Sequence, residues 1–252
     1  MKFVTGLVSI SFRPLGAEKI IEITKNAGLD AIEWGGDVHV PVGDLAIAEA
    51  VATKTREAGL LMPEYGTYYH MGVNAPEMLD AAALSARALG TSVLRVWAYG
   101  KGSANITDEE YGRLVADAKR ICTAYPDLTF CTECHNHTLT DDYRANLRLI
   151  EDVDMPNFGA FWQPNQEKDY AYDLESVRAL APYVRSAHVF AWEGSLKFPL
   201  AHHTDRWKRF VEILAEGARS EEVNLMLEFM HDNDPETLAE TARTLRSFVG
   251  KA

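Results

Sequence analysis

Eight times along the chain, a short run rich in β-branched and aromatic residues gives way to a longer stretch of helical periodicity, and few architectures accommodate that alternation. Val4–Ile10, Ala31–Trp34, a run beginning Leu60–Tyr65, Ser92–Trp97, Thr129–Cys134, Phe158–Trp162, Val184–Phe190 and Leu225–Phe229 read as strands. The helical stretches between and after them are Gly16–Asn26, Leu45–Ala58, Pro76–Leu89, Thr107 to about Ala124, Asp141–Ile150, Leu174–Leu180, Asp205–Gly217 and Pro235–Phe248. Their ends carry punctuation: Pro76 opens a helix that Gly90 closes, and Thr107 with Glu110 has the spacing of a capping box. Strictly alternating strands and helices require a parallel sheet with helical crossovers. Eight units in 252 residues match a closed α/β (β/α)8 TIM barrel, taken as a single domain over residues 1–252. The rival, an open doubly wound sheet, usually has a glycine-rich turn after its first strand. Here that turn reads Ser9-Ile10-Ser11-Phe12-Arg13-Pro14.

The formal net charge of −12 excludes the basic footprint that nucleic acid or anionic lipid requires. No apolar run approaches the roughly 20 residues that span a bilayer, and the N-terminus does not have the pattern of a signal peptide. The three cysteines, Cys122, Cys131 and Cys134, form no disulfide framework, and a reducing cytoplasmic location is expected. Cys131 and Cys134 have C-x-x-C spacing but share one strand, where an offset of three puts side chains on opposite faces, so neither zinc nor redox use is expected.

In such a barrel, chemistry gathers at the C-terminal strand ends. Glu133, Gln163, His188 and Glu228 end or lie near the ends of the last four strands. Carboxylate, amide oxygen and imidazole make a mixed oxygen and nitrogen set suited to Mn2+, Co2+, Zn2+, Fe2+ or Mg2+. A glutamate inside an apolar run could equally be half of a buried ion pair, but two of them with a histidine on the strand between point to a metal. Four of five tryptophans, Trp34, Trp97, Trp162 and Trp192, lie at or beside strand ends, and Trp207 is on a helix. They are expected either to offer flat faces to a sugar or to plug the barrel end. His70, Arg95, His135 and Lys197 are further candidates for substrate contact, as are His202 and His203.

Gly28-Leu29-Asp30-Ala31-Ile32-Glu33, Thr132-Glu133-Cys134-His135, Ala187-His188-Val189, and Glu228 with Asp234-Pro235-Glu236 give the whole chain a resemblance to the xylose isomerase-like superfamily. The resemblance is to its branch of sugar (phosphate) isomerases and epimerases, which includes tagatose and psicose epimerases, inosose-handling enzymes and hydroxypyruvate isomerase. It implies one divalent ion, Mn2+ first, held by Glu133, Gln163, His188 and Glu228, with the two glutamates as the acid/base pair. The sixth position departs from the pattern, because the family usually has aspartate where this chain has Gln163. The implied reaction is isomerisation or epimerisation of a small sugar, keto-sugar or cyclitol through a metal-stabilised enediolate. Dehydration or lyase chemistry from the same enediolate is the alternative, and a barrel that only binds sugar is another. The acidic loop after the eighth strand favours a neutral substrate over a sugar phosphate. The implied partner is a small molecule, with neither nucleic acid nor membrane, and a homo-oligomer is left open.

Overall fold

The protein is described from a computed structural model covering residues 1–250. Strands β1 (Lys2–Val8), β2 (Ala31–Gly35), β3 (Tyr65–Met71), β4 (Val93–Ala98), β5 (Thr129–Glu133), β6 (Phe158–Trp162), β7 (Val184–Val189) and β10 (Glu222–Leu227) close into one parallel barrel. Consecutive barrel strands pair in parallel, with register shifts between β3 and β4 and between β6 and β7, and β10 pairs β1 to complete the ring. A small antiparallel hairpin, β8 (Trp192–Glu193) and β9 (Leu196–Lys197), projects from the loop after β7. Helices α1 (Ala17–Asn26), α2 (Leu45–Glu57), α3 (Pro76–Leu89), α4 (Asp108–Ala124), α5 (Tyr143–Val153), α6 (Tyr170–Leu180), α7 (Thr204–Gly217) and α8 (Leu238–Phe248) form the outer ring.

The helices start where side chains satisfy orphan N–H groups. Asp44, Thr107, Asp142 and Asp169 accept from the first turns of α2, α4, α5 and α6, and Thr107 with Glu110 completes the capping box. Gly90 ends α3 at φ +84, where a Cβ would be strained.

The barrel strands are buried on both faces, and alternation divides their residues cleanly. Leu94, Val96, Phe130, Ala187, Val189, Leu225 and Leu227 pack outward into the large core shared with the helices. Val4, Val8, Ala31 and Met226 belong to a second, smaller cluster inside the barrel.

Several boundaries differ from those expected. The third strand runs over Tyr65–Met71, because Pro63 has no N–H for the ladder; the preceding segment touches β2 only through the Ala31–Leu61 bridge. β1 stops at Val8 and a 3-10 turn over Ser9–Phe12 follows. Helix α6 starts four residues earlier than Leu174, at Tyr170, where Asp169 caps it. Pro235–Thr237 forms a 3-10 turn before α8.

Cys134 lies toward α5, its sulfur accepting from Asn146 Nδ2 at 3.4 Å, and alternation puts Cys131 on the opposite face. All three thiols are free, and burial pushes those of Cys122 and Cys134 up to about 12. Among the described residues, no helix is long and apolar enough to cross a membrane.

Candidate active site

The alternation that sends Leu94, Thr132, Ala187 and Leu227 outward sends Arg95, Glu133, His188 and Glu228 inward, near the C-terminal ends of β4, β5, β7 and β10. His188 lies at the centre. Its Nδ1 is 3.4 Å from Glu133 Oε1 and 3.3 Å from Glu228 Oε2. Its Nε2 is 2.9 Å from Glu33 Oε2, on β2. Arg95 is buried against Glu133 and has its Nε 3.3 Å from Glu33 Oε1. Gly66 makes room for this pair, since a Cβ there would lie 2.7 Å from both Arg95 Nη2 and Glu33 Oε1.

Gln163, just beyond β6, is 5% exposed and donates Nε2 to the Cys134 carbonyl at 2.7 Å. Its Oε1 is buried without a hydrogen-bond partner, and so is His188 Nδ1. Unpaired buried acceptors are costly and call for a ligand. Glu133, His188 and Glu228, all buried, offer donor atoms within 4.8 Å of one another and form a candidate metal-binding group. Donors held about 2.1 Å from one ion are roughly 3.0–3.4 Å apart, in octahedral or tetrahedral geometry respectively. The two His188 Nδ1 separations of 3.3 and 3.4 Å fall in that range.

The electrostatics suit a cation at this point. Burial alone would lower the His188 imidazole, but Glu228, Glu33 and Glu133 raise it well above its ordinary range. Burial would raise the Glu133 carboxyl, yet Arg95 and His188 hold it well below the usual carboxylate range. A divalent ion between these groups would replace the imidazole proton, while Glu33 keeps Nε2–H oriented, the arrangement usual for a metal-ligating histidine.

Beneath this cluster, Glu64 is fully buried in the barrel. Its carboxyl accepts from Ser186 Oγ at 2.7 Å and Asn224 Nδ2 at 2.8 Å. Burial, then repulsion from Glu33, raises it from 4.5 to about 8 against those two hydrogen bonds. The folded state therefore holds this proton more tightly than the unfolded chain, and its contribution to stability falls as pH rises from about 4.5 to about 8. Glu64→Gln, which imitates the protonated acid, should lose less stability across that window, by at most ~5 kcal/mol. Urea midpoints at acid and alkaline pH check this; parallel profiles for the two proteins would contradict it.

The structure separates the remaining expected contacts. Trp97 is stacked with His70 at 5.9 Å between centroids, meets the edge of His135 at 4.8 Å and lies 5.1 Å from the Arg95 guanidinium. Trp192 donates Nε1 to the Phe229 carbonyl, and Lys197 Nζ sits 4.3 Å above its ring. Trp34 and Trp162 point the other way, into the helix layer, where Trp162 packs on Trp207 and Phe210 and donates to Ser176. The alternation that aims Glu33 and Phe161 at His188 forces their neighbours Trp34 and Trp162 outward, so a ring of four tryptophans does not form. His202 and His203 lie beside Glu193 on the hairpin. Glu33 and Glu64 are the additions. Glu33 stood in a recognisable motif without a role, and Glu64 was hidden in a segment expected to be strand interior. Tyr99, His137 and Phe229, which follow β4, β5 and β10, have positive φ values of 64, 66 and 40, marking backbone strain around the same mouth.

No family model matches the chain. Over 114 residues it is 27% identical to a 3-dehydroshikimate dehydratase of Bacillus anthracis, a match covering 42% of this chain and 39% of that relative. The chain thus spans about two-fifths of that relative's length. Among solved structures, the probable 3-DHS dehydratase AsbF of Bacillus anthracis superposes over 97% of this chain and 98% of its own, with 19% identity and a TM-score of 0.79. The 3-keto-D-glucoside 4-epimerase YcjR of E. coli covers 99% of this chain and 100% of its own at 13% identity and a TM-score of 0.72. An IolI protein solved with a bound zinc covers 98% of both chains at 12% identity and a TM-score of 0.68. Xylose isomerase domain proteins superpose as well. At these identities the shared property is the fold, which is the xylose isomerase-like TIM barrel.

Proposed function

We propose that the chain is a divalent-metal-dependent enzyme that removes a proton beside the carbonyl of a small polyhydroxylated compound, isomerising or epimerising a sugar, keto-sugar or cyclitol. The observation that carries this reading is the convergence of Glu133, His188 and Glu228 on one point; Gln163, just beyond β6, has a buried Oε1 with no hydrogen-bond partner and is the fourth donor proposed. These four residues would hold the ion, which the zinc-bound IolI structure supports and whose identity stays open among Mn2+, Zn2+, Co2+, Fe2+ and Mg2+. When bound, a divalent ion supplies Lewis-acid stabilisation of an enediolate formed from the substrate.

The chain's own residues do the rest. Arg95 keeps Glu133 ionised, and the salt bridge between them fixes its orientation. Glu133 is the base, and Glu228, on the other side of His188, is the group that returns a proton. Trp97 and Trp192 give the mouth apolar faces for C–H surfaces, while His70, His135 and Lys197 supply polar contacts at its rim. Burial of Glu133 and His188 excludes bulk water from the reacting end.

Dehydration is the second reading, favoured because a sequence match and a structural match both lead to dehydratases. Both readings begin with the same proton abstraction and part only in whether a β-hydroxyl leaves. Incubating the metal-loaded protein in D2O with ketoses, inososes and β-hydroxy ketones should place deuterium next to the carbonyl, which NMR would read. A conjugated product with new near-ultraviolet absorbance identifies dehydration, and an isomer or epimer identifies the first reading. Turnover with neither label nor loss of water would defeat both.

A further inference from the structure

We propose that Glu193, His202 and His203 form a second, outer metal site that takes a borderline transition-metal ion such as Zn2+ and fastens the β8–β9 hairpin to the start of α7. Their donor atoms lie within 4.8 Å of one another. His203 Nε2 is already 3.2 Å from Glu193 Oε1, close to the roughly 3.4 Å edge of a tetrahedral site. His203 is buried and therefore held in place, whereas His202 and Glu193 are exposed and can close on an ion. The flat stack of Phe198 on the His202 ring, centroids 4.5 Å apart at 13°, limits how far that imidazole can swing.

The donor sets of the two clusters differ in kind. The inner one has two carboxylates, one imidazole and an amide oxygen, which accepts Mn2+ as well as Zn2+. The outer one has two imidazoles and one carboxylate, which favours Zn2+, Ni2+ or Cu2+ and disfavours Mn2+. Arg206 Nη2 lies 2.9 Å from the same Glu193 oxygen and competes with an incoming ion, so the affinity should be modest. Because the donors come from the hairpin and from the 3-10 turn Leu200–His203, an ion there bridges two segments. The hairpin carries Trp192 and Lys197, so occupancy would restrain the rim of the mouth without touching the inner cluster.

The test is equilibrium dialysis of the full chain, stripped of metal, against Zn2+ and separately Mn2+. The wild type should bind one more Zn2+ than Mn2+. His202→Ala and His203→Ala should each weaken the outer Zn2+ site at least roughly tenfold and leave Mn2+ binding unchanged. Should His203→Ala fold poorly, the exposed His202→Ala carries the same comparison. A Glu133→Gln/Glu228→Gln double variant should retain the outer Zn2+ alone, which keeps this result independent of the inner site. Zn2+ binding that neither histidine substitution weakens, or equal Zn2+ and Mn2+ stoichiometry in the wild type, overturns the proposal.

Discussion

Replacing Glu228 by Gln should abolish turnover, with kcat/KM falling by about 10³ or more, because one change removes both a metal donor and a proton-transfer group. Chelation of the wild type should have the same effect, and added Mn2+ or Zn2+ should restore it. Glu133→Gln should fall as far in rate but behave differently in stability. Glu133 is the nearer salt-bridge partner of Arg95, whose side chain is 2% exposed, so neutralising it leaves the buried guanidinium with Glu33 as its remaining salt bridge and Glu228 farther off. Breaking one partner of a buried pair typically costs about 3–5 kcal/mol. Glu228 makes its salt bridge to His188 and acts on Arg95 and Lys197 only from a greater distance, so its loss should cost the fold less. Thermal melts beside kinetics and metal dialysis separate the two effects. Full activity in either variant removes that residue from the mechanism, and equal destabilisation of both would show that Arg95 does not depend on Glu133.

The barrel was legible because its signal is periodic and repeated. Eight strand-helix units leave little freedom, and errors of a few residues at each end do not disturb the count. The inward-facing strand-end residues were legible for a related reason: Glu133, His188 and Glu228 are polar residues in apolar runs, which only a paired or ligated site tolerates. What sequence proximity could not supply was the facing of neighbours. Trp34 follows Glu33 and Trp162 follows Phe161, so each tryptophan went to the helix layer once its neighbour was turned inward. Applied strictly, alternation would have predicted this. Glu64 was less accessible. Its role follows from Pro63 delaying β3, and from Ser186 and Asn224, more than a hundred residues away, reaching its carboxyl. Nothing local in the sequence marks that meeting.

The hydrogen bonding of Gln163 restricts what its amide can do. A carbonyl oxygen can only accept, so the nitrogen of the Gln163 amide must face the Cys134 carbonyl at 2.7 Å. That leaves Oε1 buried and unpaired, and the amide nitrogen partly committed, so the free atom of the side chain is an acceptor, fit to ligate a cation or to accept from a substrate hydroxyl. With two carboxylates and a neutral amide and imidazole, the ligands carry two negative charges, and a divalent ion would make the site formally neutral. Gln163→Glu keeps the length of the side chain and adds a charge. At ~4 Å and an effective dielectric constant of about 20, one unit charge attracts a divalent ion by about 8 kcal/mol, and desolvation of the new carboxylate cancels most of it. The lost hydrogen bond and the repulsion between the new carboxylate and the Cys134 carbonyl offset part of this. Metal affinity should therefore rise roughly 10- to 100-fold, and kcat should fall, because less positive charge remains to stabilise an anionic intermediate. Gln163→Asp adds the same charge on a shorter arm and should give a smaller gain in affinity. Metal titrations of the wild type and both variants, with and without substrate, decide the matter. Unchanged metal affinity in both, with weaker substrate binding, would take Gln163 out of the ligand set and leave Glu133, His188 and Glu228 to hold the ion alone.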